Sequence, residues 1–170
     1  DSPSEQDVGK GIREVIEQAP GRVAITTFSS NLGRIRAIAE AARDAGRSVL
    51  VLGRSLQRVI DVAAELGYLD GLPPFLTEDQ YEQIPREHVV VLCTGSQGEA
   101  RAALAKLARQ ELRNVQLAPG DTVVFSSRVI PGNEKAIIGI KNLLIEQGVK
   151  VIEDSDALIH VSGHPRRNEL

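Results

Sequence analysis

HVVVLCTGSQGEARAALAKLARQEL, residues 88–112, changes its periodicity within a few positions. Val89, Val90, Val91, Leu92 and Cys93 form an unbroken apolar run. It is too short for a helix and lacks the alternation of a half-exposed strand, so it marks a strand covered on both faces. A loop of small and polar residues follows, and the alanine and leucine spacing beyond it predicts a helix over residues 98–112. A doubly covered strand that runs into a helix is half of a β-α-β unit. Its partners should be parallel strands joined by crossover helices.

The same alternation extends in both directions. RVAITTF (22–28), SVLVL (48–52), DTVVFSS (121–127), VKVIED (149–154) and ALIHVSG (157–163) read as further strands. Helices are predicted over 31–46, stopped by Gly46, and over 55–67 and 133–148. A lead segment, residues 1–21, has Ser4 as its N-cap and Val8, Ile12, Val15, Ile16 and Ala19 at helical spacing before Pro20-Gly21 ends it. Residues 67–85 form an excursion with a short helix after Thr77. The predicted fold class is α/β: a three-layer sandwich around a mostly parallel central sheet, in one domain over residues 1–170, with 157–170 as an exit segment. Neither an internal repeat nor a low-complexity tract interrupts it.

No apolar run approaches the roughly 20 residues that cross a bilayer, so no membrane partner is expected. The single cysteine, Cys93, excludes an internal disulfide and fits a reducing, cytoplasmic setting. In its strand it should be an inert core thiol. A net charge of −3 gives no global pull toward nucleic acid. The cations are nevertheless unevenly placed: Arg34, Arg36, Arg54, Arg58, Arg101, Arg128, Lys135, Arg166 and Arg167 lie near particular loop motifs.

Those motifs follow the strands: TTFSSN, LGRS, CTGSQGE, FSSRVIPGNE, EDSDA and HVSGH. In a parallel sheet all strand C-termini share one edge, where open α/β folds bind ligands. Small residues allow close approach to backbone, and helix N-termini favour anions. Singly, Ser29, Ser30, Asn31, Ser55, Ser96 and Asn133 need do no more than cap helices. Four such loops on one rim, two of them carrying Arg54 and Arg128, make a seat for a phosphorylated ligand. No G-x-x-x-x-G-K-[ST] or G-x-G-x-x-G is present, which disfavours nucleotide hydrolysis and dinucleotide chemistry. Aromatics at 3% leave no stacking platform, and Phe28 and Phe125 are expected in the core.

HVSGHPRRNEL, residues 160–170, holds two of the three histidines. After the tight Ser162-Gly163 turn, His164 could present its imidazole to a reacting phosphate. His160 and His164, with Glu153, Asp154 and Asp156, could also be considered metal ligands, but His88 starts a strand at the opposite edge and no metal site is assigned.

TTFSSNLGRI, LGRS, CTGSQGEARAAL, VVFSSRVIPGNEKAI and HVSGHPRRNEL, in that order and spacing, resemble the β-CASP domain of bacterial ribonuclease J. The likeness covers nearly the whole chain, including SEQDVGKGI. It implies a Rossmann-like domain inserted in a metallo-β-lactamase domain, in an enzyme that cuts RNA internally and trims it from a monophosphorylated 5′ end. In that family two zinc ions held by a His-x-His-x-Asp-His motif activate water, and RNA lies between the domains. That motif is not in this sequence, so the resemblance implies an excised domain with no cofactor of its own, inactive alone. The missing metallo-β-lactamase domain, RNA and a possible second copy of the parent enzyme are the implied partners.

By resemblance His164 would contact the scissile phosphate, with His160, Ser162 and Gly163 beside it in the phosphate pocket. Ser96, Gln97, Gly98 and Glu99, and Ser126, Ser127 and Arg128, would line the RNA path, together with Ser29, Ser30, Asn31, Arg54, Ser55 and Asn133. Pro165 and Gly33 depart from the pattern, since many relatives have a small residue and a histidine there. Two other readings remain: a small-molecule phosphate- or nucleotide-binding α/β module, and an assembly domain whose loops only cap helices.

Overall fold

The computed structural model describes residues 5–153. Within them the apolar runs become five strands, β1 (Val23–Thr26), β2 (Ser48–Leu52), β3 (Val89–Cys93), β4 (Thr122–Phe125) and β5 (Lys150–Glu153). They form one sheet in the order β2-β3-β1-β4-β5, and every pairing is parallel. The helices are α1 (Glu5–Gln18), α2 (Leu32–Asp44), α3 (Arg54–Glu65), α4 (Glu78–Glu82), α5 (Ala103–Ala108) and α6 (Glu134–Glu146). The expected α/β sandwich with a parallel sheet is what the chain forms. The predicted strand 157–163, the Ser4 cap, and Asp154 and Asp156 lie outside the described residues.

Two apolar layers sit on the two faces of the sheet. Ile12, Ile16, Ile35, Ile38, Leu56 and Ile60 from α1, α2 and α3 cover Val23, Ile25, Val90, Leu92 and Val124. On the other face Leu104, Leu107, Ile137, Ile140 and Leu144 from α5 and α6 cover Ala24, Val91, Cys93, Val123 and Phe125. Adjacent residues of one strand therefore serve opposite layers, which is why each strand needs a continuous apolar run.

Strand order explains the excursion between α3 and β3. From β1 the chain moves outward to β2 with α2 on one face. The step from β2 back to β3 reverses direction, so a right-handed crossover must use the opposite face. Residues 66–88 make that transfer. Leu69 and Phe75 pack with the α2 layer, whereas Leu76, Tyr81 and Ile84 join the α5 layer. Leu76 donates its amide to the Val49 carbonyl at 2.8 Å and covers the free edge of β2. The short helix after Thr77 forms with a complete capping box, Thr77 to Gln80.

The helix expected over 98–112 is much shorter. Thr94 intercepts it: its carbonyl accepts the Leu104 amide at 2.9 Å and its hydroxyl accepts the Ala103 amide at 3.2 Å. At the far end Gln110 adopts φ +60 and Glu111 donates back to the Lys106 carbonyl, closing the helix at Ala108. Phe28 likewise lies beyond the end of β1 and is half-buried, while Phe125 is core as expected.

Buried ionic groups hold the edge where the strands begin. Asp121 is fully buried and accepts the backbone amides of Arg22 and Ala118, each at 2.8 Å, and the guanidinium groups of Arg22 and Arg86. Arg47, also buried, donates to the carbonyls of Ile16 and Ala19 at the end of α1 and to those of Gly21 and Val89. Burial lowers its affinity for the proton, with Glu87 and Asp121 opposing that shift.

Candidate phosphate-binding rim

The last rung of the sheet runs Leu52–Cys93–Thr26–Phe125–Glu153. With parallel strands about 4.8 Å apart, this row is roughly 19 Å long, and the loops after β1, β2, β3 and β4 all leave from the same edge. Parallel pairing alone brings the four motif loops together, because each motif sits just past a strand C-terminus.

Side-chain contacts then join the loops into one rim. The loops after β2 and β3 meet where Gly53, at φ +113, lies against Thr94; a Cβ there would approach the Thr94 hydroxyl to 2.5 Å. The loops after β3 and β4 meet at Gln97. Its amide nitrogen donates to the Arg128 carbonyl at 2.8 Å, and its amide oxygen accepts the Ile130 backbone amide at 2.8 Å and the Asn133 side-chain amide at 3.2 Å. The loop after β4 is tied to the β1 side by Ser126, whose carbonyl accepts from the Thr27 hydroxyl at 3.0 Å and from Arg34 at 2.9 Å. Arg34 also donates to the Ser126 hydroxyl at 2.7 Å.

The predicted site residues therefore divide into two groups. Ser96, Gln97, Gly98 and Ser126 are buried, and Gln97 and Ser126 are engaged with neighbouring loops. Gly98, at φ +77, lets its loop pack against the backbone of Ala136 and Ile137. The outer group is reachable. Ser30, Arg54, Ser55, Glu99 and Arg128 are exposed, and Ser29, Asn31, Ser127 and Asn133 are half-buried. The Ser127 hydroxyl is enclosed and has no partner. His160, Ser162, Gly163 and His164 fall outside the described residues.

Capping follows the prediction only in part. Asn31 caps α2, accepting the Arg34 amide at 3.0 Å. The N-cap of α3 is Gly53, so Ser55 lies inside the first turn rather than at the cap. Asn133 is the N-cap of α6 but makes no side-chain cap bond; its amide nitrogen donates to Gln97.

Exposed charge on and beside the rim is mainly cationic. Arg54, Arg58, Arg101, Arg128 and Lys135 are all exposed on or beside these loops. Two exposed acids on these loops accept backbone amides: Glu99 that of Gln97 at 3.0 Å, and Glu134 that of Gly132 at 2.8 Å. Such a surface can hold phosphate oxygens through guanidinium groups and the N-terminal amides of α2 and α3. A recess of about 450 Å³ lies along α2, from its first turn onward. It is lined mainly by apolar and small side chains, Leu32, Gly33, Ala37, Tyr68 and Leu69 among them, and Arg36 beside it is already spent on the carbonyls of Tyr68 and Asp70.

Among the described residues no cluster of His, Cys, Asp and Glu could hold a metal ion, so the described residues do not fit a zinc centre. Cys93 is buried, and burial pushes its thiol up to about 12, far from a ligand or nucleophile. His88 is exposed in the 3-10 turn Arg86–His88, at the strand-start edge. None of the described helices is long and apolar enough to cross a membrane.

Sequence reasoning treated Gln97 as a ligand residue and missed its place as a clamp between loops. It also passed over Thr94, Thr27 and the apolar pair Val129-Ile130, although a Val-Ile-Pro step inside a polar loop was a visible signal.

Comparison with known proteins adds the remaining finding. Residues 20–144 match the family model described as the ribonuclease J β-CASP domain. The chain is 64% identical over 169 residues to ribonuclease J of Sinorhizobium meliloti, covering 99% of this chain and 30% of that protein. Ribonuclease J of Mycolicibacterium smegmatis is 41% identical over 170 residues, and that of Thermus thermophilus 39% over 169, each with 99% of this chain and 30% of the relative covered. The chain thus spans about 30% of the length of these curated relatives.

Proposed function

The chain belongs to the ribonuclease J β-CASP domain family, and from that premise we infer that it is the RNA-clamping domain of a metal-dependent ribonuclease. The observation that carries this reading is the rim: four strand-end loops joined to one another on one edge, with exposed arginines, and with Glu99 and Glu134 each accepting a backbone amide.

In this reading the buried residues position and the exposed ones bind. Arg54, Arg101 and Arg128 take successive phosphates, with the amides at the start of α2 and α3 and the hydroxyls of Ser29, Ser30 and Ser55 adding donors. His164, with His160 and Ser162, would sit at the scissile phosphate, a role carried by the family motif alone. Zinc would supply an activated water. No described residue of this chain fits a zinc site, so its ligands would belong to the metallo-β-lactamase domain, and this chain's task is to hold and orient the RNA. The chain alone would then be inactive, and the parent enzyme would act in the cytoplasm, with a second copy as a further possible partner.

The test is a salt titration of binding to a 5′-monophosphorylated single-stranded RNA. Contact with three or more phosphates gives a slope of log K on log salt steeper than about −2. Arg128→Ala should weaken binding to every sequence alike and make the slope shallower by about one phosphate's worth. A slope near −0.7 matched by free nucleotide would instead support a small-molecule phosphate module. RNA cleavage by the chain alone, abolished by His164→Ala, would overturn the clamping role.

A further inference from the structure

One step of the rim exposes large aliphatic side chains. Val129 and Ile130 follow Arg128 directly and remain 39% and 49% exposed. Other exposed large aliphatics, Val62, Leu66, Ile138 and Ile145, occur on or at the ends of helices, where scattered apolar exposure is ordinary. Two in succession on a ligand-facing loop are not.

This step is also held rigidly. Gln97, 6% exposed, bonds the backbone on both sides of Val129, at the Arg128 carbonyl and the Ile130 amide. The Ile130 carbonyl accepts the Asn133 amide at 3.0 Å, and Gly132 donates to Glu134. Val129 and Ile130 are β-branched and stiff at χ1, and Pro131 fixes its own φ. The Arg128 carbonyl and the Ile130 amide and carbonyl are therefore satisfied within the protein, and little ordering of this step remains to be done when something packs on it. Arg128 on one side and Lys135, in the first turn of α6, on the other are exposed cations.

We propose that Val129 and Ile130 form an apolar seat for an unstacked nucleobase of single-stranded RNA whose phosphate is held by Arg128. The inference rests on the RNA-clamping reading above and adds a base contact to it. The cations favour a polyanion over an apolar protein surface as the occupant. Aliphatic packing stands in for aromatic faces, which are few in this sequence at 3%, and it selects no particular base.

The test uses the full-length polypeptide carrying this chain and two oligonucleotides of equal length, one ordinary and one abasic at successive positions. Both carry the same phosphates. Ile130→Ser should weaken binding of ordinary RNA about three- to tenfold and leave abasic RNA unaffected, with the salt slope unchanged. Ile130→Trp should tighten ordinary RNA only, which guards against a loss caused by misfolding. Arg128→Ala should weaken both RNAs. Equal effects of Ile130→Ser on the two RNAs, or none on either, would overturn the seat while leaving the clamp standing. A change in self-association in place of RNA affinity would also overturn it, in favour of a protein contact. If the unaltered protein binds neither RNA, the clamp itself falls, and the seat with it.

Discussion

The side-chain amide of Gln97 donates to the Arg128 carbonyl at 2.8 Å, so the loop after β3 sets the backbone of the loop after β4. Gln97 is buried and its bonds run to protein, whereas Arg128 is exposed. One residue presents the other.

That relationship predicts coupling. Gln97→Met removes the bonds to the Arg128 carbonyl and the Ile130 amide, and exchange of the Ile130 amide should accelerate about tenfold, the equivalent of one net hydrogen bond. RNA affinity should fall as well, and in an Arg128→Ala background the same substitution should cost little more. Additive losses in that double-mutant cycle would mean that Gln97 touches RNA itself.

Gly98 tests whether the rim depends on close packing. A Cβ at this position would stand 2.8 Å from the Ile137 nitrogen and the Ala136 carbonyl carbon, both backbone atoms, at φ +77. Gly98→Ala should destabilise the fold by about 2–4 kcal/mol, combining backbone strain with overpacking, as read from urea denaturation. Gly132→Ala is the control: its φ is also positive, at +101, but nothing lies within 4 Å, so it should show strain alone.

At the strand-start edge, Asp121→Ala leaves Arg22 and Arg86 without their shared carboxylate and strands two backbone amides. A loss of about 3–5 kcal/mol is expected, measurable as a lowered denaturant midpoint. Because this edge faces away from the rim, the salt slope of RNA binding should be unchanged under conditions where the variant remains folded.

Cys93 predicts an alkaline weakness. Burial raises its thiol from an ordinary 9.0 to about 12 in the folded chain. The folded state therefore keeps a proton that the unfolded chain releases. The contribution is fully present below about pH 9 and is lost as pH rises toward 12, so stability should decline across that window, and less so in Cys93→Ala. At neutral pH the thiol should react with a disulfide reagent only after denaturant is added, and rapid reaction in the folded protein would contradict its burial.

The amino-acid order already determined the layers. Runs such as Val89–Cys93 can be buried only between two helical faces, and Gly46 ends α2 because its φ of +75 suits a residue without a side chain. It also determined that the Ser-, Gly- and Arg-bearing loops share an edge, since each follows a parallel strand. Tertiary contact decided the rest. Thr94 shortens the helix expected after β3 by accepting its first amides, and no local preference of residues 98–102 reveals that. Gln97 and Ser126 look the same in sequence as Ser30 and Arg54, polar residues in strand-end loops, yet two are buried and two exposed. Burial depends on which loops lie alongside, and that is set by the strand order β2-β3-β1-β4-β5, a pairing between segments remote along the chain that no local pattern encodes.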